Sequence, residues 1–196
     1  TYCFNGGFAV IELNREVAKD NGIFVVHQRD EGYWLVRSFE EVTRIATESG
    51  VHLHVSHLQA YGRVNWPLMN QVLERADQFI REGGKVTWDR YPYLAGCTVL
   101  TAVLPTWTLS EGTDALVWNL RDSAYRQRIN DEFTKGLDVW HNRQISVGWD
   151  NIVISAVTKS KNKWMEGQDC LTLAQKLNKD PIDFVCDLLA EENLAV

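Results

Sequence analysis

Two histidines close similar stretches of this chain. His27 ends GIFVVH and His57 ends GVHLHVSH, each after a glycine and a short apolar run rich in β-branched residues. Neutral imidazole is a good ligand for Zn²⁺, and a metal site with ligands far apart in sequence is built where several strands end near one point. Two strand-end imidazoles in matched places therefore lead to the expectation that His27 and His57 share a metal ion. The alternative is that each hydrogen-bonds to a neighbouring loop. Asp89, closing KVTWD, falls at a third such strand end. The local trio His52, His54 and His57 is a weaker candidate. On a strand, His52 and His54 share one face while His57 points to the other, so the three do not converge without a bulge. His54 is expected to make a structural hydrogen bond, His52 to sit at the strand entry, and His141 to lie on the surface of a polar, irregular region. No GxSxG elbow, P-loop or GxGxxG stretch is present.

The elements that must position these residues follow from the apolar periodicity. FAVIELNREVAKDNG carries Val10, Leu13 and Val17 at helical spacing and stops at Asn21-Gly22. IFVV reads as a buried strand. SFEEVTRIATESG reads as a helix opened by a capping box, Ser38 with Glu41, and stopped by Gly50. VHLHVSH is the next strand, WPLMNQVLERADQFIREGG a long amphipathic helix with Pro67 in its first turn, and KVTWDRYPY a third strand. Strand and helix alternating over short links predicts parallel strands joined by right-handed crossovers, with ligands gathered at the strand C-termini. The expected divisions are βα units over residues 1–97, an inserted, lid-like helical segment over 98–150, and a further strand, NIVISAV, with helices over 151–196. Within that last part LTLAQKLNKDPIDFVCDLLAEE reads as two helices interrupted at Asp180-Pro181.

Composition narrows the function classes. Of 196 residues, 45% are hydrophobic and 23% charged, values of an ordinary packed domain. The net charge of −6 and the lack of a basic stripe argue against nucleic acid as a partner. No apolar run approaches the roughly 20 residues that span a bilayer, so no membrane partner is expected. Four widely separated cysteines without a CxxC pair suit reduced thiols and a cytoplasmic location. The opening TYCFNGGFAV resembles neither a signal peptide nor an ordinary start, which leads to the expectation of an internal piece of a larger protein.

The blocks VVHQRDEG, HVSHLQAYGRVNW, VTWDRYPYLAGCTVLTAVLPTW and DPIDFVCDLLAEE, in this order, resemble the N-acyl-D-amino-acid deacylases, or D-aminoacylases, of the amidohydrolase superfamily. The resemblance implies an α/β fold, a partial (β/α)8 TIM barrel comprising strands five to seven with an inserted helical segment. It implies a zinc-dependent hydrolase that cleaves the amide bond of N-acyl-D-amino acids, with His27 and His57 as zinc ligands. It places the remaining ligands before Thr1 and the general-base aspartate beyond Val196, so the isolated chain is expected to be inactive. Asp89 corresponds to a structural carboxylate. Tyr91 corresponds to a substrate contact. Gln59 stands where the family has a lysine, Cys97 where it has a serine, and Arg63 is a candidate replacement for the lost cation. The implied partner is a small-molecule amide, and open sheet edges lead to an expectation of homo-oligomers. A cyclic amidohydrolase, dihydroorotase-like or hydantoinase-like, and an inactive barrel fragment are the alternatives.

Overall fold

A computed structural model describes residues 8–134 and 146–196; His141 and Cys3 fall outside them. The chain divides into two compact units, Thr1–Leu94 and Ala95–Val196.

In the first unit, helices α1 (Phe8–Lys19), α2 (Leu35–Ser49) and α3 (Leu68–Arg81) alternate with strands β1 (Ile23–Val26), β2 (His52–Val55) and β3 (Val86–Trp88). The strands form one parallel sheet in the order β1-β2-β3. Register places Val25, His54 and Thr87 in one row across it. Side chains alternate between the faces, and Leu53 and Val55 pack with Leu35, Phe39 and Val42 of α2 and Val72, Ala76 and Phe79 of α3. Each large apolar side chain removed from water contributes about 1.5 to 3 kcal/mol. The α2 helix stops where Gly50 enters the left-handed region at φ 76° and its N–H returns to Ala46 O. Gly84 is needed for a different reason: a Cβ there would lie 2.3 Å from the Phe79 ring.

Three local expectations are corrected. The α2 helix begins at Leu35, so Ser38 is not its cap; Ser38 is buried inside the helix, where its Oγ accepts from Asp30 N–H at 3.1 Å. Glu41 correspondingly pairs with Arg29 at 2.9 Å and closes no capping box. The β1 strand is not fully buried: Phe24 and Val26 are half-buried against the core, while alternation turns Ile23 and Val25 away from the helices, leaving them 52% and 61% exposed. The segment NIVISAV is not a strand. It is extended chain with one isolated antiparallel bridge, Val153 to Asp169, because its backbone bonds close a local loop, Ile154 N–H to Gln168 O and Cys170 N–H to Ile152 O.

The described residues of the second unit form helices and turns. Helices α4 (Thr113–Asn119), α5 (Ser123–Thr134), α6 (Cys170–Lys176) and α7 (Pro181–Glu191) surround a core that includes Leu116, Leu120, Ile129, Leu173, Phe184 and Leu188. The break between the last two helices is chemical. Asp180 caps α7 by accepting from Ile182 N–H at 2.8 Å, and Pro181 occupies the first turn, where no N–H is required. Among the described residues no helix is long and apolar enough to cross a membrane.

Candidate metal centre

The β1 strand delivers His27 at its C-terminal end, and β2 delivers His57 two residues after Val55. Parallel neighbours bring matched ends together, and His27 Nδ1 lies 2.9 Å from His57 Nε2. His57 is not a regular strand residue. Its φ is 42°, a left-handed value that costs a non-glycine residue of order 1 to 3 kcal/mol unless the surroundings hold it. Asp89 does the holding: its Oδ1 accepts from His57 N–H at 2.6 Å, while its backbone carbonyl accepts from Leu58 N–H. The backbone N–H of His57 and the His54 side chain hold the Asp89 carboxyl below the usual carboxylate range.

The other nitrogen of His57 meets a residue that the sequence did not single out. Glu31, on the loop leaving β1, is 6% exposed and accepts from His57 Nδ1 at 2.6 Å through Oε1. Its Oε2 accepts from Gln59 Nε2 at 2.8 Å. The same Oε1 lies 3.8 Å from His27 Nδ1. Among the described residues, His27, Glu31 and His57 bring one potential ligand atom each within 4.8 Å of one another. The only sequence signal was an acid four residues after His27, and a loop acid is ordinarily solvated.

The trio fits a metal ion on the chemistry of its donors. A carboxylate on Nδ1 selects the His57 tautomer whose Nε2 keeps its lone pair, and such a carboxylate–histidine pair orients a ligand and raises its basicity. His27 Nδ1, in the tautomer that carries its proton on Nε2, offers a second neutral nitrogen beside it. Two convergent imidazole nitrogens with a buried carboxylate behind one of them suit a borderline cation such as Zn²⁺.

The other histidines among the described residues, His52 and His54, are otherwise engaged. His54 Nδ1 lies 2.8 Å from Thr87 Oγ1 and Nε2 lies 3.1 Å from Asp89 Oδ2, while His52 Nε2 reaches Thr87 Oγ1 at 3.3 Å. His54 thus supports Asp89, which supports His57. Gln59 is tied on both sides of its amide: Oε1 accepts from Tyr91 O–H at 2.7 Å and from Arg90, while Nε2 donates to Glu31. The Tyr91 ring lies 6.4 Å from the His57 ring. Arg63 stacks on Trp66 at 5.6 Å, so the cation that touches Gln59 is Arg90. Cys97 belongs to the second unit, at an exposed position.

No protein-family model matches the chain. Over 98 residues, 46% of the chain, it is 35% identical to a D-aminoacylase of Alcaligenes xylosoxydans xylosoxydans, and the matched stretch is 19% of that protein. Its fold resembles N-acyl-D-glutamate deacylase from Bordetella bronchiseptica, solved with zinc and a phosphonate mimic of the reaction's tetrahedral intermediate. The TM-score is 0.64 at 19% identity, over 93% of this chain and 29% of that one. A D-aminoacylase structure described as defining a novel subset of amidohydrolases gives 0.58 at 22% identity, over 91% and 28%. A D-aminoacylase with a binuclear metal centre, activated by one metal and attenuated by the second, gives 0.57 at 22% identity, over 92% and 29%. The chain therefore spans about a fifth of its curated relative and under a third of the solved structures. The chain is thus similar in sequence to a D-aminoacylase over nearly half its length and shares its α/β fold with D-aminoacylase and N-acyl-D-glutamate deacylase structures over most of it.

Proposed function

We propose that the intact protein carrying this chain hydrolyses the amide bond of N-acyl-D-amino acids with a zinc ion held in part by His27 and His57. The observation that carries the reading is the relay from Glu31 through the His57 ring to His27, a buried carboxylate orienting one of two convergent imidazoles. A bound divalent cation supplies Lewis-acid chemistry, polarising an amide carbonyl and making water nucleophilic near neutral pH. The chain's own residues do the rest of what lies within it. Glu31 keeps His57 in one tautomer and, through Gln59, orients the Tyr91 hydroxyl at the rim of the site. Asp89 keeps the strained turn that presents His57. Tyr91, with Gln59 and Arg63, forms the proposed substrate-contact set, in which Gln59 acts through its neighbours because its carbonyl and one N–H are already engaged.

In the same reading, β1, β2 and β3 are the fifth to seventh strands of a (β/α)8 barrel, residues 98–150 are a segment inserted after them in the sequence, and the enzyme is cytoplasmic. The chain spans under a third of the solved structures it resembles, so activity is proposed for the intact protein and not for this chain alone. The test is hydrolysis of a panel of N-acetyl-D-amino acids by the full-length protein, with and without chelator. Turnover that chelation abolishes and zinc restores is expected. Turnover indifferent to chelation, or none on any member of the panel, sinks the reading.

A further inference from the structure

We infer that Arg90 is the cation that receives the substrate's carboxylate, an assignment that rests on the amide-hydrolase reading above and adds a specificity-determining residue to it. Arg90 follows Asp89 directly, so the element that holds His57 in its left-handed turn also carries this guanidinium to the same strand end. Its contacts are of two kinds, both with neutral groups. One N–H donates to Gln59 Oε1, and the guanidinium lies 4.1 Å above the Tyr91 ring. Other arginines of this unit, Arg15, Arg29, Arg44 and Arg75, pair with glutamates. Arg90 has no carboxylate partner among the described residues.

The two neutral contacts fix the plane of the fork without neutralising it. An arginine has five N–H donors, and the Gln59 bond uses one of them. The rest can meet a carboxylate in the bidentate geometry that guanidinium favours, and stacking on an aromatic ring pre-organises the group for that task.

The location is set by one continuous chain of contacts. His27 touches His57, His57 touches Glu31, Glu31 touches Gln59, and Gln59 touches Arg90 and Tyr91. The Tyr91 ring neighbours both groups, 6.4 Å from the His57 ring and 4.1 Å from the Arg90 guanidinium. An N-acyl-amino acid carries its carboxylate two bonds from the amide nitrogen, so an amide presented beside His57 needs a cation a short step away. The need is sharpened by the chain's net charge of −6, which disfavours an anionic substrate unless a local cation offsets it. Arg63 serves this less well, since its guanidinium is on Trp66 and makes no hydrogen bond to Gln59 or Tyr91.

The test compares metal-loaded full-length wild type, Arg90→Gln and Arg90→Lys on two compounds, an N-acetyl-D-amino acid and the analogue whose carboxylate is replaced by a neutral carboxamide. Arg90→Gln is expected to lower kcat/KM for the carboxylate by about 10- to 100-fold, chiefly through KM, and to leave the carboxamide within about twofold. Arg90→Lys should recover part of the loss, because a point charge replaces the fork. Equal losses on both compounds, or no loss on either, overturn the role of Arg90 alone. A wild type that hydrolyses neither compound overturns the amide-hydrolase reading and this assignment with it. Thermal melting of both variants separates a folding defect from a lost contact, and Arg90→Lys then decides the matter if Arg90→Gln is unstable.

Discussion

Among the described residues each of the two units buries one glutamate, and the two glutamates are satisfied in opposite ways. Glu192, 2% exposed in the helical unit, accepts from the N–H groups of Thr158 and Lys159, the Thr158 hydroxyl and the Asn162 amide. Burial alone would raise its pKa, but these hydrogen bonds outweigh burial and hold the carboxyl at about 2. None of its donors titrates in the ordinary pH range, so the group serves as a permanent staple for the loop at 158–162. Glu31, 6% exposed in the α/β unit, faces an imidazole and a side-chain amide. A carboxylate buried against backbone and amide donors holds structure, whereas one buried against an imidazole sets the state of that imidazole. The partners of a buried acid, more than its burial, separate scaffold from site.

The contrast breaks first at His57. His57→Ala removes the nitrogen that Glu31 serves and should lower metal affinity and hydrolysis in the intact protein by more than about 100-fold, beyond the usual range for a residue behind a ligand. Zinc titration and initial rates read it, and retention of both would end the metal reading. Glu31→Gln keeps the shape but loses the charge. It should weaken zinc binding by about 10- to 100-fold while moving the melting temperature less than Glu192→Gln does.

Glu192→Gln attacks the staple. It turns an acceptor into a partial donor facing N–H groups and should cost about 2 kcal/mol of stability by chemical denaturation, with no change in zinc affinity. The pH dependence follows from the sign of the shift. The folded pKa of about 2 lies below the ordinary 4.5, so the stabilisation is present above pH 4.5 and is lost as pH falls toward 2. The wild type should lose stability across that window more steeply than the Glu192→Gln variant.

Smaller effects sharpen the comparison within each unit. Gly50→Ala has room for its methyl but places it at φ 76°, so a loss of about 1 kcal/mol is expected from the backbone alone. In the helical unit, burial raises the thiols of Cys170 and Cys186 to about 12, which keeps them protonated and unreactive at neutral pH. Of the three described thiols, only exposed Cys97 should label with iodoacetamide in the native state at pH 8, read by mass spectrometry.

The sequence by itself determined the alternation of strands and helices in the first unit, the parallel pairing, the stop at Gly50, the break at Asp180-Pro181, and the pairing of His27 with His57 as candidates. These rest on short-range causes: apolar period, cap chemistry, and the rule that matched ends of neighbouring parallel strands lie side by side. Only the tertiary structure decided that Ser38 lies inside a helix, that NIVISAV pairs locally, that Glu31 is buried behind His57, and that Arg90 reaches Gln59. Each of those depends on partners 8 to 31 residues away or on the supply of a neighbouring strand. A loop acid such as Glu31 carries no periodic mark of its burial. What buries it is the closing of β1 against β2, which brings an imidazole 26 residues away to its oxygen.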